Sequence, residues 1–266
     1  MTESTTPEFG SVFVEFTRHS TVATILIDRA AKLNALTLSM LDALRQTCVE
    51  LATSDARVVI VRTAGDRVFS VGADINHFAE LDAVEMWRQW ISTGHAAFSA
   101  LANLPQPTIA VVDGLAYGGG LELALAADFR VLSETAQVAL PEAGLGTVPG
   151  WGGTERLAAL IGEHRTKEMI LTRRVLTSAE ALDWGIATRI AGVDGLDAST
   201  DELLEQLLGS APIASQVAKQ IIRATVDGAS SATLEALAAG VTASTSDLAE
   251  GIAAFRQKRP PRFTNR

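Results

Sequence analysis

The chain has 266 residues and a formal net charge of −9 at pH 7, with 47% hydrophobic and 5% aromatic residues. This composition is typical of a globular protein with an aliphatic core, and the negative charge argues against binding to nucleic acid or to anionic membranes. The single cysteine, Cys48, excludes an internal disulfide and a cysteine-based metal site. No apolar run reaches the roughly 18 residues of a membrane span, and the N-terminal residues lack a signal-peptide pattern. We therefore expect a cytoplasmic protein.

The predicted elements alternate between strands and helices up to about residue 190. Apolar or alternating segments predict strands within residues 12–16, 22–27, 57–62, 68–75, 109–112, 129–132 and 136–142. Helical patterns occupy residues 38–52, 81–103, a short run after Gly120, 155–161, 163–172, 178–184, 199–208, 212–226, 231–249 and 251–258. Residues 1–10 are expected to form a loose tail. This order predicts an α/β core over residues 1–196 and a helical C-terminal region over 197–266.

Three consecutive glycines, Gly118, Gly119 and Gly120, separate the apolar segment 109–112 from an Ala/Leu-rich helix. Each glycine loses much backbone entropy on folding, so the run indicates a place where another group approaches the backbone closely. Free N–H groups at a helix start can donate to an anion or to a developing oxyanion. Glu122 lies in the first turn of this helix among apolar neighbours. We therefore predict that Gly119 donates to an oxyanion and that Glu122 transfers protons beside it.

Several common catalytic motifs are absent from the sequence. The glycine run is neither a Walker loop nor a dinucleotide-binding fingerprint, there is no Gly-x-Ser-x-Gly elbow, and the histidines have no metal-site spacing. Glu122 and Glu142 remain as candidates. Either can be structural, since the helix dipole favours an acid in a first turn and Glu142 can cap a turn after Pro141. The helix, strand and loop between the two glutamates can also bring both carboxylates to one pocket.

The sequence resembles the crotonase (enoyl-CoA hydratase/isomerase) superfamily. The motifs that carry the resemblance are Phe-Ser-Val-Gly-Ala-Asp-Ile at 69–75, Gly-x-Ala-x-Gly-Gly-Gly-x-Glu-Leu at 114–123, and Pro-Glu-x-Gly-Leu-Gly-x-x-Pro-Gly-x-Gly-Gly-Thr-x-Arg-Leu at 141–157. Segments 29–36 and 255–259 also fit, and the resemblance runs in order from about residue 12 to residue 263. It implies a spiral of ββα repeats followed by a helical trimerisation region, assembled as a homotrimer or a dimer of trimers. It also implies an acyl-CoA thioester substrate from fatty acid metabolism and no cofactor beyond the coenzyme A of the substrate.

The resemblance assigns catalytic roles to Ala73, Gly119, Glu122 and Glu142. The backbone N–H groups of Ala73 and Gly119 match those that hold the thioester oxygen, and one such donor is typically worth about 2.7–4 kcal/mol. Family members that hydrate enoyl-CoAs hold a water between glutamates at the positions of Glu122 and Glu142. Since hydration needs one group to take a proton from water and another to give one to C2, the implied reaction is syn hydration of a trans-2-enoyl-CoA.

Further positions match segments of the family that bind substrate: Lys32, Asn34, Ala35, Leu36, Gly72, Asp74, Ile75, Tyr117, Gly118, Pro141, Trp151, Phe255 and Lys258. Lys32 can instead be an exposed loop lysine, and Phe255 a core residue. Asn76 stands where many hydratases carry a lysine, which weakens a contact to coenzyme A. Tyr117 and Trp151 are bulky where smaller residues are common, so each either narrows the acyl pocket or fills the core.

Two other functions remain open at this point. The first is Δ3-Δ2 isomerisation or another enolate-forming reaction on the same scaffold, although two glutamates favour hydration. The second is a non-catalytic acyl-CoA-binding or RNA-binding family member, and the net charge argues against the RNA-binding form. The sequence leaves open the acyl chain length and which glutamate acts as the base.

Overall fold

The computed structural model describes residues 10–266, and the tail expected over residues 1–10 lies outside them except for Gly10. The strands are β1 (Ser11–Thr17), β2 (Val22–Asp28), β3 (Val58–Thr63), β4 (Val68–Ser70), β5 (Thr108–Val112), β6 (Leu115–Tyr117), β7 (Phe129–Ser133), β8 (Gln137–Ala139), β9 (Leu176–Thr177) and β10 (Arg189–Ala191). The α-helices are α1 (Leu38–Ala52), α2 (Ile75–Glu80), α3 (Ala83–Glu85), α4 (Ser92–Ala102), α5 (Gly119–Leu125), α6 (Gly153–Leu171), α7 (Ser178–Trp184), α8 (Leu196–Leu208), α9 (Pro212–Val226), α10 (Ser231–Ala243) and α11 (Ser246–Gln257). None of these helices has the length and apolar character needed to cross a bilayer.

The strands form two sheets that are built from repeated ββα units. The six-stranded sheet has the order β1-β2-β3-β5-β7-β10, and the four-stranded sheet has the order β4-β6-β8-β9. Three successive units, β3-β4-α2, β5-β6-α5 and β7-β8-α6, each place one strand in the large sheet and the next in the small sheet. This confirms the predicted α/β fold. Because β4, β6 and β8 are parallel neighbours, their carboxyl ends lie side by side.

The central strands β3 and β5 of the large sheet are buried on both faces, which explains their largely apolar sequences. All five residues of β5 are buried. The larger core cluster packs α1, α4 and α5 against the sheets. The smaller cluster packs Leu203 and Leu204 of α8 against strand residues such as Val131. Helix α8 thus packs against the large sheet of the core, although the predicted domain boundary after residue 196 assigns this helix to the C-terminal region. That boundary stays a prediction.

Several helix boundaries differ from the prediction, and two of them have a clear local cause. The helix expected over residues 81–103 begins after Asp82, whose side chain accepts hydrogen bonds from the first turn, and it contains a π-helical segment at Met86–Ile91. In the C-terminal region the predicted break near residue 250 is wrong, because the chain breaks at Ser244 and Thr245 instead. The Thr245 side chain accepts a hydrogen bond from the N–H of Leu248 and starts α11 there.

Candidate active site

The loops that follow β4, β6 and β8 meet around a cavity of about 100 Å³. Eight of the residues predicted from the sequence line it: Ala73, Ile75, Gly118, Gly119, Glu122, Pro141, Glu142 and Trp151. The other lining residues were not predicted, and these are Val71, Phe78, Trp90, Ile91, Leu145, Thr147, Val148 and Gly150. The three parallel strand ends therefore bring both glutamates and both predicted oxyanion donors to one cavity.

Gly72 and Gly119 hold the first two loops in direct contact. Gly72 has a φ of +91°, and a Cβ atom there would lie 2.6 Å from the Gly119 nitrogen and 2.9 Å from the carbonyl oxygen of Tyr117. On the other side of the glycine run, a Cβ on Gly120 would overlap the carbonyl of Ser70. Both positions accept only glycine because helix α5 starts directly against the end of β4.

The backbone directs the N–H groups of Ala73 and Gly119 away from regular hydrogen bonding. Leu36 and Ala73 form a parallel β-bridge. The N–H of Leu36 donates to the carbonyl oxygen of Gly72, and the carbonyl oxygen of Leu36 accepts from the N–H of Asp74. In a parallel bridge the central residue points its own N–H to the opposite side, so the Ala73 N–H faces away from Leu36. Gly119 is the first residue of α5, where N–H groups have no partner within the helix. Among the described residues, the local backbone geometry therefore leaves both groups on the side of Ala73 and Gly119 that is not used by the bridge or the helix, and both residues line the cavity.

Glu122 is a buried carboxylate that backbone groups hold in place. Its side chain is 1% exposed, and its Oε1 accepts hydrogen bonds of 2.8 Å from the N–H groups of both Trp151 and Gly153. Burial raises the pKa of Glu122, while these two N–H groups and the positive charge of Arg156 oppose the rise. Gly153 also makes room for the carboxylate, since a Cβ at that position would lie 2.8 Å from Cγ of Glu122.

Glu142 begins a short 3₁₀-helix, Glu142–Leu145, immediately after Pro141. Burial raises the pKa of Glu142 to about 7, the charge of Glu122 adds to the rise, and its own backbone N–H opposes it. Its Oε2 atom is buried and accepts no hydrogen bond from the described residues. A Cβ on Gly118 would lie 2.9 Å from the other oxygen, Oε1. The carboxyl group therefore lies against the glycine run and changes its protonation near neutral pH.

Some predicted substrate-binding residues lie outside the cavity and stabilise the loop that carries Ala73. The Asp74 side chain caps α2 and pairs with Arg29 at 2.7 Å. The Asn34 amide accepts from the Arg29 N–H and donates to the carbonyl oxygens of Ala64 and Val68. Ala35 and Leu36 are also buried. These side chains do not line the cavity, and Asn34 uses both of its N–H groups inside the protein.

Other predicted residues lie apart from the cavity. The Tyr117 side chain is half-buried and does not line the cavity, and its hydroxyl donates to Gln137 at 2.8 Å. Lys32 and Lys258 are exposed. Phe255 is 86% exposed, which excludes a core position for it in the single chain. Any contact of these residues with substrate requires parts of coenzyme A outside the cavity or a second subunit.

Comparison with known proteins gives consistent matches along the chain. A family model described as enoyl-CoA hydratase/isomerase matches residues 17–266. The mitochondrial methylglutaconyl-CoA hydratase of Mus musculus is 38% identical over 245 residues, 89% of this chain and 77% of that protein. Carnitinyl-CoA dehydratase of Salmonella enteritidis is 36% identical over 260 residues, 95% of this chain and 98% of that protein. A crystal structure of enoyl-CoA hydratase from Bacillus anthracis is 33% identical with a TM-score of 0.91, covering 96% of this chain and 99% of that one.

Proposed function

The chain belongs to the enoyl-CoA hydratase/isomerase family of enzymes that act on acyl-CoA thioesters, and we propose that it is an enoyl-CoA hydratase. The proposed reaction is syn addition of water to a trans-2-enoyl-CoA, which gives a 3-hydroxyacyl-CoA. The observation that carries this proposal is that Glu122 and Glu142 line the same cavity as Ala73 and Gly119, whose N–H groups are the predicted oxyanion donors.

The N–H groups of Ala73 and Gly119 are the proposed oxyanion hole. Adding water to C3 pushes negative charge onto the thioester oxygen, so the intermediate is an enolate. Donors that are already oriented stabilise this charge without reorganising during the reaction. The contact between Gly72 and Gly119 supplies that orientation, because it fixes the distance between the two loops.

The two glutamates divide the proton transfers. One carboxylate takes a proton from the attacking water, and the other carboxyl group delivers a proton to C2 on the same face. The pKa of about 7 at Glu142 supports this role, because both protonation states are then populated at neutral pH. Since these side chains and the backbone donors supply every step, the proposed reaction requires no metal ion and no redox cofactor.

Isomerisation between Δ3 and Δ2 double bonds is the alternative reaction at this site. It moves one proton between carbon atoms and can use a single acid/base, whereas hydration uses two groups. The second buried carboxylate therefore favours hydration. The curated relatives above carry the names of a hydratase and a dehydratase, which agrees with this preference.

The direct test is a spectrophotometric assay with purified protein. Hydration of crotonyl-CoA removes the absorbance of the conjugated thioester, and we expect turnover with this or another short trans-2-enoyl-CoA. A parallel assay with 3-enoyl-CoAs measures the isomerase reaction. Absence of turnover across all 2-enoyl chain lengths would refute the hydratase proposal, and turnover of 3-enoyl-CoAs alone would assign the alternative.

We further propose that the active form is a homotrimer or a dimer of trimers. The C-terminal helices α9, α10 and α11 expose large apolar side chains, which are Ile222, Val226, Leu237, Val241, Leu248, Ile252 and Phe255. Large apolar side chains that are exposed in the single chain are often covered by another subunit when they lie together on one surface. In such an assembly Phe255 and Lys258 can contact coenzyme A bound to a neighbouring subunit.

A further inference from the structure

The cavity has an open end and a closed end. Ile75, Leu145 and Val148 line it while remaining more than half exposed, so they form its mouth. Trp90 and Trp151 line it and are 1% and 2% exposed, so they form its closed end. An acyl chain that enters the cavity beyond Gly119 would meet these two tryptophans.

The Trp151 indole is fixed by aromatic packing and by one hydrogen bond. Its ring lies 5.4 Å from the ring of Trp90 and 5.4 Å from that of Phe98, the latter in an edge-to-face arrangement. Its Nε1 donates to the carbonyl oxygen of Trp90 at 3.3 Å. Trp90 belongs to the π-helical segment Met86–Ile91, a type of helix that is frequent at functional sites. These contacts hold the indole in one position across the closed end.

Two glycines make the space that this indole occupies. A Cβ on Gly94 of α4 would overlap the five-membered ring of Trp151, and a Cβ on Gly119 would overlap the six-membered ring. The indole thus extends from the proposed oxyanion donor at Gly119 to the helix that closes the cavity. A smaller side chain at position 151 would leave the space between Gly119 and α4 empty.

The polarity of the residues that line the cavity further restricts which acyl groups can bind. Among the described lining residues, the only ionisable side chains are Glu122 and Glu142, and the remainder are apolar or glycine apart from Thr147. An acyl group that carries its own carboxylate would meet two acids and no cation. The cavity volume of about 100 Å³ is also small beside the roughly 300–1,000 Å³ of a typical ligand site, which favours a short acyl group.

We propose that Trp151 determines the specificity of the enzyme for short, uncharged acyl groups. The inference rests on the proposed acyl-CoA site and names its substrate class. The indole blocks longer chains by filling the space between Gly119 and Gly94. The alternative is that Trp151 serves only as a core residue, in which case its replacement changes stability and leaves the chain-length preference unchanged.

Binding and turnover should be measured separately for Trp151→Leu and Trp151→Ala. Calorimetric titration with the saturated esters butyryl-CoA, hexanoyl-CoA, octanoyl-CoA and decanoyl-CoA reports binding without any reaction. The ratio of kcat/KM values for crotonyl-CoA and trans-2-decenoyl-CoA reports the same preference during turnover. Trp87→Ala is the matched control, since Trp87 is 67% exposed and does not line the cavity.

We expect the wild-type protein to prefer the four-carbon ester, and both Trp151 variants to reduce the four-to-ten-carbon ratio by at least about 10-fold, as a lost pocket contact typically does. Trp87→Ala should keep the wild-type ratio. An unchanged ratio in a folded Trp151→Leu protein would overturn the proposal, as would equal wild-type affinity for butyryl-CoA and decanoyl-CoA. If Trp151→Ala does not fold, Trp151→Leu decides the test.

Glutaconyl-CoA tests the charge requirement, because it resembles crotonyl-CoA with an added carboxylate. We expect it to be turned over at least about 10-fold less efficiently than crotonyl-CoA, and equal efficiency would contradict the uncharged acyl class. The titrations separate this inference from the proposed reaction. Length-dependent binding without hydration would overturn the hydratase assignment and leave the role of Trp151 intact.

Discussion

A Cβ atom on Gly72 would lie 2.6 Å from the amide nitrogen of Gly119. The two residues belong to different ββα units, and each lies in the loop that carries one proposed oxyanion donor. Since nothing but hydrogen separates them, the spacing of the two donors depends on the absence of a side chain at position 72.

Gly72→Ala should therefore separate the two donors. We expect kcat/KM for crotonyl-CoA to fall by about 10²–10³-fold, which is the usual effect of losing one oxyanion donor. The matched control is Gly228→Ala, because Gly228 has a similar φ of +95° but no atom within 4 Å of its Cβ position. The control should show the cost of backbone strain, measured by thermal unfolding, with kcat unchanged. Equal kcat losses in both variants would argue against the role of the glycine contact.

Glu142→Gln should remove proton transfer and keep the shape of the side chain. We expect kcat to fall by about 10²–10⁴-fold, the range typical of general acid–base groups, while the Kd for butyryl-CoA stays within a few-fold of the wild-type value. Glu163→Gln is the control, since Glu163 is an exposed residue of α6 that pairs with Lys167. Loss of ester binding in a folded Glu142→Gln protein would indicate a binding role instead of a catalytic one.

Replacement of Glu122 should separate its structural from its catalytic contribution. Glu122→Ala leaves the N–H groups of Trp151 and Gly153 buried without an acceptor, and we expect the free energy of unfolding to fall by about 2–4 kcal/mol. Glu122→Gln keeps an oxygen that can accept both bonds, so its stability should stay closer to that of the wild type while kcat falls. Denaturant titration and the crotonyl-CoA assay together measure the two effects. High activity in Glu122→Gln would exclude proton transfer by Glu122.

The raised pKa of Glu142 predicts a pH-dependent cost to stability. The folded protein holds this proton up to a pH of about 7, whereas the ordinary carboxyl value is 4.5. The cost is therefore absent below about pH 4.5, grows between pH 4.5 and 7, and is fully present above pH 7. Allowing for partial solvent exposure, we expect Glu142→Gln to be more stable than the wild type at pH 8 by about 1–2 kcal/mol. Unfolding titrations at pH 4.5 and pH 8 should show this gain only at the higher pH.

Substitution of Phe255 tests the proposed assembly. Light scattering coupled to size exclusion should give three or six copies of the chain for the wild type. Phe255→Glu introduces a charge at an 86% exposed apolar position of α11, and we expect it to shift the equilibrium toward smaller species. Val49→Glu on α1 is the control, since Val49 is an exposed apolar residue outside the C-terminal helices. A monomeric wild-type protein would refute the proposed trimer.

Local sequence patterns were sufficient to predict the α/β fold. Buried parallel strands need continuous apolar runs, and β3 and β5 have them. The glycine run was also informative, because Gly119 and Gly120 start a helix against another loop. The C-terminal break was mispredicted because the hydrogen bond to the Thr245 side chain, and not the helical periodicity, decides where α11 begins.

The apolar residues that line the cavity were harder to predict from the sequence than the two glutamates. Phe78, Trp90 and Ile91 come from α2 and from the π-helical segment, far along the chain from the glutamates. Apolar side chains are equally typical of a core helix, so only tertiary packing distinguishes a residue that lines the cavity from one that is buried in the core. Asn34 shows the opposite case, because it lies in a motif that matches the family while its amide bonds to the backbone groups of Arg29, Ala64 and Val68 outside the cavity.

The way in which Glu122 is held has a consequence for how readily this scaffold can change its substrate. Its partners at Trp151 and Gly153 are peptide N–H groups, and every amino acid except proline supplies such a group at position 151. The side chain at position 151 can therefore vary while the carboxylate keeps both hydrogen bonds. A saturation library at this position, with proline excluded, should yield enzymes with altered acyl preference and a conserved reaction, which makes Trp151 a favourable first site for directed evolution.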